Sequence, residues 1–401
     1  MDYPSRIVFI NHWAKSLGGA EYSLIDIIAN SASRADTHLI TAEEGVLAEA
    51  ARHSGATCHI IKSHASLGSI RRDHLFLSLL RSFPAALSFI CFSLQVAQRI
   101  RSIRPTVIHA NVPKSHITLM LCRLWGIKNI RFVFHIREIF KQRSLVCHLY
   151  RVLFPAKESL IIAISQAVKD ALPTRLRRQA AVIYNGILIP PQIRLRAQPP
   201  TIKLLTLGRI VPWKGCHLLV DMFAALRCRN PQLSIEFTLV GDTVYWTDDY
   251  RAAIKNQIKQ LNLESACSLL PHDADPATVF DHHHLFCSMS HAEPFGRVLA
   301  EAMAHGLPVV AYDGGGVREV VDDSKTGIVV PFGDQAGFID AVERLIHNYP
   351  LMQTMGEQGY IRAKKMFNRD VQIPLIVERI LNEYEGANNY SPVRNNYSPA
   401  N

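Results

Sequence analysis

No two cysteines in this chain stand as Cys-x-x-Cys; the eight present, at 58, 91, 122, 147, 216, 228, 267 and 287, are scattered singly. That spacing excludes the usual zinc frameworks and a dense disulfide scaffold, and it indicates a reducing compartment. The chain also lacks a Walker loop and a Gly-x-Gly-x-x-Gly fingerprint, which disfavours ATP and NAD as ligands. No Ser/His/Asp order or reactive-cysteine setting stands out, so no nucleophilic triad is expected. Long apolar runs are missing too. Ser82 to Ala97 is uncharged and largely apolar, but it has only sixteen residues and Pro84 interrupts its start. A spanning helix needs roughly 20. The run suits either a buried helix or an interfacial one whose flanking arginines (71, 72, 81, 99, 101, 104) meet lipid head groups. Met1-Asp2-Tyr3-Pro4 enters a strand at once, which leaves no room for a signal peptide.

What is present is length and charge asymmetry. The 401 residues, 48% hydrophobic, are too many for one ordinary core and suit two domains of about 180 residues each. Residues 1–200 hold 26 Lys and Arg against 11 Asp and Glu, a net +15, whereas residues 201–401 hold 18 against 23, a net −5. The basic half favours an anionic partner such as a membrane surface or a phosphorylated lipid. Nucleic acid is disfavoured, because the basic stretches lack interleaved aromatics and any helix-turn-helix or zinc pattern.

Short β-branched runs alternate with helical patterns along the chain. Arg6 to Ile10 reads as a strand, followed by strand candidates at 38–41, 57–61, 106–110, 131–135 and 160–164. The proline-punctuated segment 190–200 is a linker. A second series runs through 202–207, 235–240, 267–270, 284–287, 308–311 and 327–330. Such alternation predicts an α/β protein with two Rossmann-like, doubly wound parallel-sheet domains in tandem, at 1–190 and 200–366. Ligands of these sheets bind outside the carboxyl ends of the strands, so two facing edges make an interdomain cleft. Arg369 to Tyr384 has helical spacing. The tail 386–401 repeats Asn-Asn-Tyr-Ser-Pro and is expected to be disordered.

Six motifs are candidates to carry chemistry. Glu293-Pro294-Phe295-Gly296-Arg297-Val298-Leu299-Ala300-Glu301 places two carboxylates around a turn into a helix. Pro294 and Gly296 disfavour extending that helix backwards, and Gly296 frees its first N–H groups for an anion. Carboxylates accept hydrogen bonds from hydroxyls, so the element suits a ligand that is part sugar and part diphosphate. Gly208-Arg209 and Lys214-Gly215 follow the first strand of the second domain and offer a guanidinium and an ammonium at its sheet edge. Gly241 ends the next strand, and Gly314-Gly315-Gly316 is read as a second anion cradle. In the first domain, Gly18-Gly19 opens a helix, either as a plain turn or so that a ligand can touch the backbone. His135 closes a strand at the same edge, where it is either semi-buried and satisfied or a partner for a sugar hydroxyl. His282-His283-His284 resembles a metal tract, but neighbours on a strand point to opposite faces, so no metal site is expected.

Together these motifs resemble the retaining glycosyltransferases of family 4, which have the GT-B fold. The likeness runs in order over residues 6–385 and is strongest from 200 to 332. Glu293 and Glu301 match the family's Glu-x7-Glu element, and Gly208, Arg209, Lys214 and Gly215 its Gly-Arg…Lys-Gly element. Gly18-Gly19, Tyr184-Asn185-Gly186-Ile187 and the Thr326-Gly327 strand match further. The resemblance implies a nucleotide-sugar donor, UDP- or GDP-linked, held mainly by the second domain and handled without a metal or other cofactor. Glu293 would bind hydroxyls of the donor sugar and Glu301 the ribose. Arg209 and Lys214 would neutralise the leaving diphosphate. The backbone around Phe295, Gly296, Arg297 and Val298 would assist, with Gly208 and Gly241 at the same edge. His135 would reach the donor sugar, and Gly18-Gly19 the phosphate and acceptor. The last helix, about 369–385, would cross back to the first domain. Cys287 to Ala292 lacks the family's Pro-Ser pair and Pro271-His272 replaces a glycine near the base pocket, so the base stays open.

The function expected is sugar transfer to a glycan or lipid-linked acceptor in bacterial surface polysaccharide or lipopolysaccharide synthesis. A GT-B nucleotide-sugar epimerase and a non-catalytic nucleotide-sugar-binding protein are the alternatives. The expected place is the cytoplasm, peripheral at the inner face of the plasma membrane, through the basic first domain.

Overall fold

The computed structural model describes residues 5–62, 83–140, 145–155, 159–193, 198–243, 248–271 and 276–382. Arg71, Arg72, Arg81, His272 and the repeated tail lie outside them. Two parallel sheets organise the chain. The first runs β3-β2-β1-β4-β5-β6-β7 across its width. Its strands are β1 Arg6–Ile10, β2 Asp36–Thr41, β3 Thr57–Ile60, β4 Val107–Ala110, β5 Arg131–Ile136, β6 Ser159–Ala163 and β7 Ala181–Val182. The second runs β10-β9-β8-β11-β12-β13, built from β8 Ile202–Leu207, β9 Ile235–Val240, β10 Cys267–Leu270, β11 Leu285–Ser288, β12 Val309–Tyr312 and β13 Gly327–Val330. The strands predicted from their apolar runs form within a residue or two. β7 has two residues, too short to show a period, and was not anticipated.

Helices cover both faces of each sheet, so the central strands β4, β11 and β12 are buried at every position. Continuous Val/Ile/Leu runs are what such two-sided burial selects. In each sheet the winding reverses once. β1 pairs with β2 on one side and β4 on the other, with Ile7 opposite Val107. β8 likewise lies between β9 and β11, with Leu204 opposite Leu285. A crevice opens at each reversal, at the carboxyl ends of the strands.

The chain crosses between domains twice, and the crossings touch. The Ile187 N–H donates to Phe367 O at 2.8 Å, and the Arg369 N–H returns to Ile187 O at 2.8 Å. A Cβ on Gly186 would stand 2.8 Å from the Arg369 Cα, so only glycine fits there. The helix Arg369–Leu381 then buries Ile373, Ile376, Val377 and Ile380 in the first-domain core beside Ile7, Leu24 and Ile27. It ends three residues before Tyr384. Further contacts join the domains. The Glu319 carboxylate accepts the N–H groups of Gln166 and Ala167 at 2.6 and 2.8 Å. Phe295 stacks on Tyr184 and meets the edge of Phe367.

Candidate active site

At the second-domain reversal, β8 and β9 leave the sheet through glycines pressed together. A Cβ on Gly241 would lie 1.8 Å from the Gly208 carbonyl oxygen. Where Gly208 would carry its own Cβ there is open space, and its φ is +147°. Gly208, Arg209, Lys214, Ser290, Glu293 and Val298 line a shallow open recess at this point. The exposed Arg209 guanidinium lies 5.9 Å from the Trp213 ring.

Pro212–Lys214 forms a single 3-10 turn, closed by Gly215 at φ +70°. A Cβ on Gly215 would meet the Met289 carbonyl oxygen at 2.5 Å. This close backbone approach carries Lys214 to the loop after β11, where its Nζ donates to Glu293 Oε1. The side chains are 21% and 9% exposed. Two motifs 79 residues apart are thus one half-buried ion pair. The Gly314-Gly315-Gly316 turn is not an anion cradle, which corrects the sequence reading. Gly316 gives its N–H to Glu293 O at 2.7 Å, and a Cβ on Gly315 would lie 2.1 Å from that oxygen. The glycines let this turn buttress the Glu293 backbone.

Gly296 caps the helix Arg297–Ala304 at φ +90°, with no side chain closing its amino end. The Leu299 N–H donates to Gly296 O at 2.9 Å, which leaves the N–H groups of Arg297 and Val298 pointing outward, toward any anion placed there. The Phe295 side chain is buried among aromatics, which leaves only its backbone for a ligand. Arg297 Nε donates to Glu301 Oε1 at 2.7 Å. The same arginine reaches the first domain: its guanidinium lies 5.9 Å from the Tyr22 ring, and its Cδ is 3.3 Å from where Gly19 would carry a Cβ. Its Nη1 is buried with no hydrogen-bond partner among the described residues. Gly18 caps the helix Gly19–Ala32, and Glu21 Oε2 accepts the Gly18 N–H at 3.0 Å. The paired glycines thus stand against Arg297 across the cleft.

His135 does not line the recess. It is fully buried at the carboxyl end of β5, its Nδ1 3.3 Å from His109 Nε2 and 3.3 Å from Arg137 Nη2. Burial, with Arg137 beside it, holds its imidazole well below the usual range and therefore neutral. Arg137 is a residue that the sequence analysis did not single out. It lies two positions along the strand from His135, hence on the same face. Its guanidinium donates to Asn111 Oδ1 and Asn185 Oδ1, each at 2.8 Å, and to Ser23 Oγ at 3.1 Å. Burial lowers it to about 9, against the nearby Glu21 charge, which raises it. Asn111 was not singled out either, and Asn185 only as part of the Tyr184-Asn185-Gly186-Ile187 likeness; both are asparagines at strand or linker ends, a weak signal alone. Among the described residues no three His, Cys, Asp or Glu side chains gather as metal ligands. In the histidine tract, His283 bonds Val279 O and His284 accepts the Lys203 N–H.

An ammonium, a guanidinium and outward N–H groups therefore surround one crevice together with a carboxylate. That set can hold a diphosphate and a hydroxyl-bearing group side by side. Comparisons with known proteins agree in kind. The sequence profile "Glycosyltransferase Family 4" matches residues 17–188, and "Glycosyl transferases group 1" matches 193–362. MJ1178 of Methanocaldococcus jannaschii, named an uncharacterized glycosyltransferase, is 29% identical over 51% of this chain and 54% of its own length. The chain thus spans about half of that relative. CapM of Staphylococcus aureus, a capsular polysaccharide biosynthesis glycosyltransferase, is 23% identical over 71% of this chain and 79% of its own. The crystal structure of HepE from Anabaena in complex with UDP and glucose superposes with a TM-score of 0.77 at 23% identity, covering 94% of this chain and 99% of HepE. At that identity the likeness shows a shared fold, the two-lobed GT-B arrangement.

Proposed function

Because this chain belongs to glycosyltransferase family 4, the glycosyl transferases group 1, we propose that it moves a hexose, with retention, from a nucleotide diphosphate sugar to a glycan or lipid-linked acceptor. The Lys214–Glu293 pair at the β8/β11 crevice carries the reading. In sugar transfer, negative charge develops on the departing phosphate while the anomeric carbon becomes cationic. In this reading Lys214, Arg209 and the first-turn N–H groups of Arg297–Ala304 stabilise that phosphate more in the transition state than in the ground state. Glu293 accepts from a sugar hydroxyl while it fixes Lys214, and Glu301 does the same for the ribose. Front-face attack by the acceptor retains the anomeric configuration without an enzyme nucleophile. The positive charge needed at the phosphate comes from side chains, so a metal is not required.

Support for a UDP-linked donor comes from HepE, which was crystallised with UDP. Surface polysaccharide or lipopolysaccharide assembly is proposed from the naming of CapM. No helix among the described residues is long and apolar enough to cross a membrane. Peripheral attachment is proposed instead, through the basic first domain. Its helix Phe83–Ile103 exposes Leu87, Ile90 and Leu94 and ends among exposed Arg99, Arg101 and Arg104.

The test is a thermal-shift panel of UDP-, GDP- and ADP-sugars with and without EDTA. A donor at a hundred times its Kd stabilises the native state by about 2.7 kcal/mol. One nucleotide series should raise the melting temperature, and EDTA should leave that rise unchanged. No shift with any sugar nucleotide ends the donor assignment, and a shift abolished by EDTA ends the metal-free one.

A further inference from the structure

We propose that the first domain carries a seat for a phosphate group of the acceptor, at the crevice between β1 and β4, formed by Lys114, Ser115 and His12. The proposal rests on the reading of the chain as a sugar transferase and names the chemistry of its second substrate. The donor's own phosphates have their cations in the other domain, at Arg209 and Lys214.

Position is the first argument. The β1/β4 reversal is where this sheet opens a crevice, just as the β8/β11 reversal does in the other domain. His12 and Trp13 follow β1, and the twelve-residue helix Pro113–Leu124 follows β4. Its cap residue is Val112, whose side chain can accept nothing, and Pro113 fills the first helical position. The first-turn N–H groups of Lys114 and Ser115 are therefore directed out of the helix toward the crevice, at its positive end.

The second argument is independent of the helix. His12 is 5% exposed, and neither of its ring nitrogens has a hydrogen-bond partner among the described residues. The Ser115 Oγ is likewise buried and unpartnered. Buried polar atoms are nearly always paired, and these belong to residues that follow the two strands flanking the reversal, so they point to a missing partner. Burial, and then the Lys114 charge, hold His12 down at about 3. It is a neutral imidazole with one N–H to donate. Ser115 offers a hydroxyl and Lys114 a cation, so the three supply donors and positive charge and no anion. Lys114 Nζ lies 5.4 Å from the Trp13 ring, and Asn11 Nδ2 holds the Trp13 carbonyl at 2.7 Å.

The ligand chemistry is a phosphate mono- or diester, which either a lipid-linked or a soluble phosphorylated acceptor presents. The surroundings prompt the lipid arm of the test. The His12 ring packs 4.5 Å from Phe92 and 5.8 Å from Phe89 on the helix whose outer face exposes Leu87, Ile90 and Leu94.

The experiment is calorimetric titration of the full chain with octyl phosphate, glycerol phosphate and, as an uncharged control, octyl glucoside. It is repeated on Lys214→Ala, which cripples the donor phosphate site, and on Lys114→Gln, with thermal unfolding as the check on folding. At least one phosphate should bind tenfold or more tightly than octyl glucoside. That binding should survive Lys214→Ala and fall at least tenfold in Lys114→Gln. Ser115→Ala, a smaller change, should weaken it about threefold. Octyl phosphate tighter than glycerol phosphate identifies a lipid-linked source, and equal affinities a soluble one. Phosphate binding that is absent, or indifferent to Lys114→Gln, overturns the seat. Binding lost only in Lys214→Ala also overturns it, because the phosphate then occupies the donor site. Failure of UDP-sugars to bind, with the phosphate result intact, would fault the donor assignment and leave this seat standing.

Discussion

Replacing Lys214 by methionine separates the bracing of Glu293 seen in the structure from the role proposed for the lysine at the donor phosphate. The side chain keeps its length and loses its charge. Glu293, 9% exposed, is then left without the ammonium it now holds. Breaking a fully buried pair costs about 3–5 kcal/mol, but Lys214 is 21% exposed and water reaches its end, so about 1–3 kcal/mol is expected. The kinetic loss is separate. Removing one preorganised group that stabilises developing negative charge costs about 2.7–4 kcal/mol, or 10²–10³ in kcat. Urea unfolding followed by circular dichroism reads the first quantity. Turnover of the donor selected by thermal shift reads the second. The double variant Lys214→Met/Glu293→Gln discriminates further. A neutral amide no longer strands a charge, so stability should return to within about 1 kcal/mol of the parent while turnover stays low. If Lys214→Met loses stability but keeps kcat/KM within about threefold, the lysine only braces Glu293 and the phosphate role is wrong.

Four more outcomes are expected. Gly241→Ala drives a methyl into the Gly208 carbonyl, at 1.8 Å, and should destabilise the fold by more than about 2 kcal/mol. Gly208→Ala points its methyl into open space but must hold a φ of +147° that a side chain rarely adopts; it should cost about 1–3 kcal/mol of stability while donor affinity falls tenfold or more, and an unchanged Kd would remove Gly208 from the site. Acid should unfold the protein early. His12 and His116 are held at about 3, mainly by burial, and His109 and His135 well below the ordinary value. The unfolded chain binds protons that the folded one refuses. Stability is therefore complete above about pH 6.5 and falls toward pH 3, by up to about 1.4 kcal/mol per pH unit per imidazole; a urea midpoint that stays flat from pH 7 to 5 would refute neutral burial. Glu319→Ala removes the carboxylate that ties Gln166 and Ala167 across the domains. With both ends partly exposed, about 1 kcal/mol of closure is lost, so donor KM should rise severalfold and the scattering radius should grow slightly; no change in either would show that the contact does not hold the lobes.

Glycine and charge made the crevice at the β8/β11 reversal legible. Gly208, Gly215 and Gly296 lie beside Arg209, Lys214 and Glu293 in sequence, and each residue type has few other uses at a strand's carboxyl end. The buried polar network of the first domain was not legible in the same way. Asn111, Asn185, Ser23 and Arg137 come from four separate segments, each with an ordinary local pattern. Only the packing of β4, β5 and the linker around one guanidinium joins them. The Gly314-Gly315-Gly316 turn misled for a related reason: glycine permits close approach to a ligand or to another backbone equally well, and local sequence does not say which.

The alternation of apolar strands and helical patterns by itself determined two parallel sheets, because side-chain period and two-sided burial are local consequences of residue order. The prolines of 190–200 placed the division between them. Tertiary structure alone decided that Lys214 meets Glu293 and that Arg297 stands against Gly19. Each of those contacts depends on where strand order reverses and how closely backbones approach, and neither quantity is written in any single stretch of the chain.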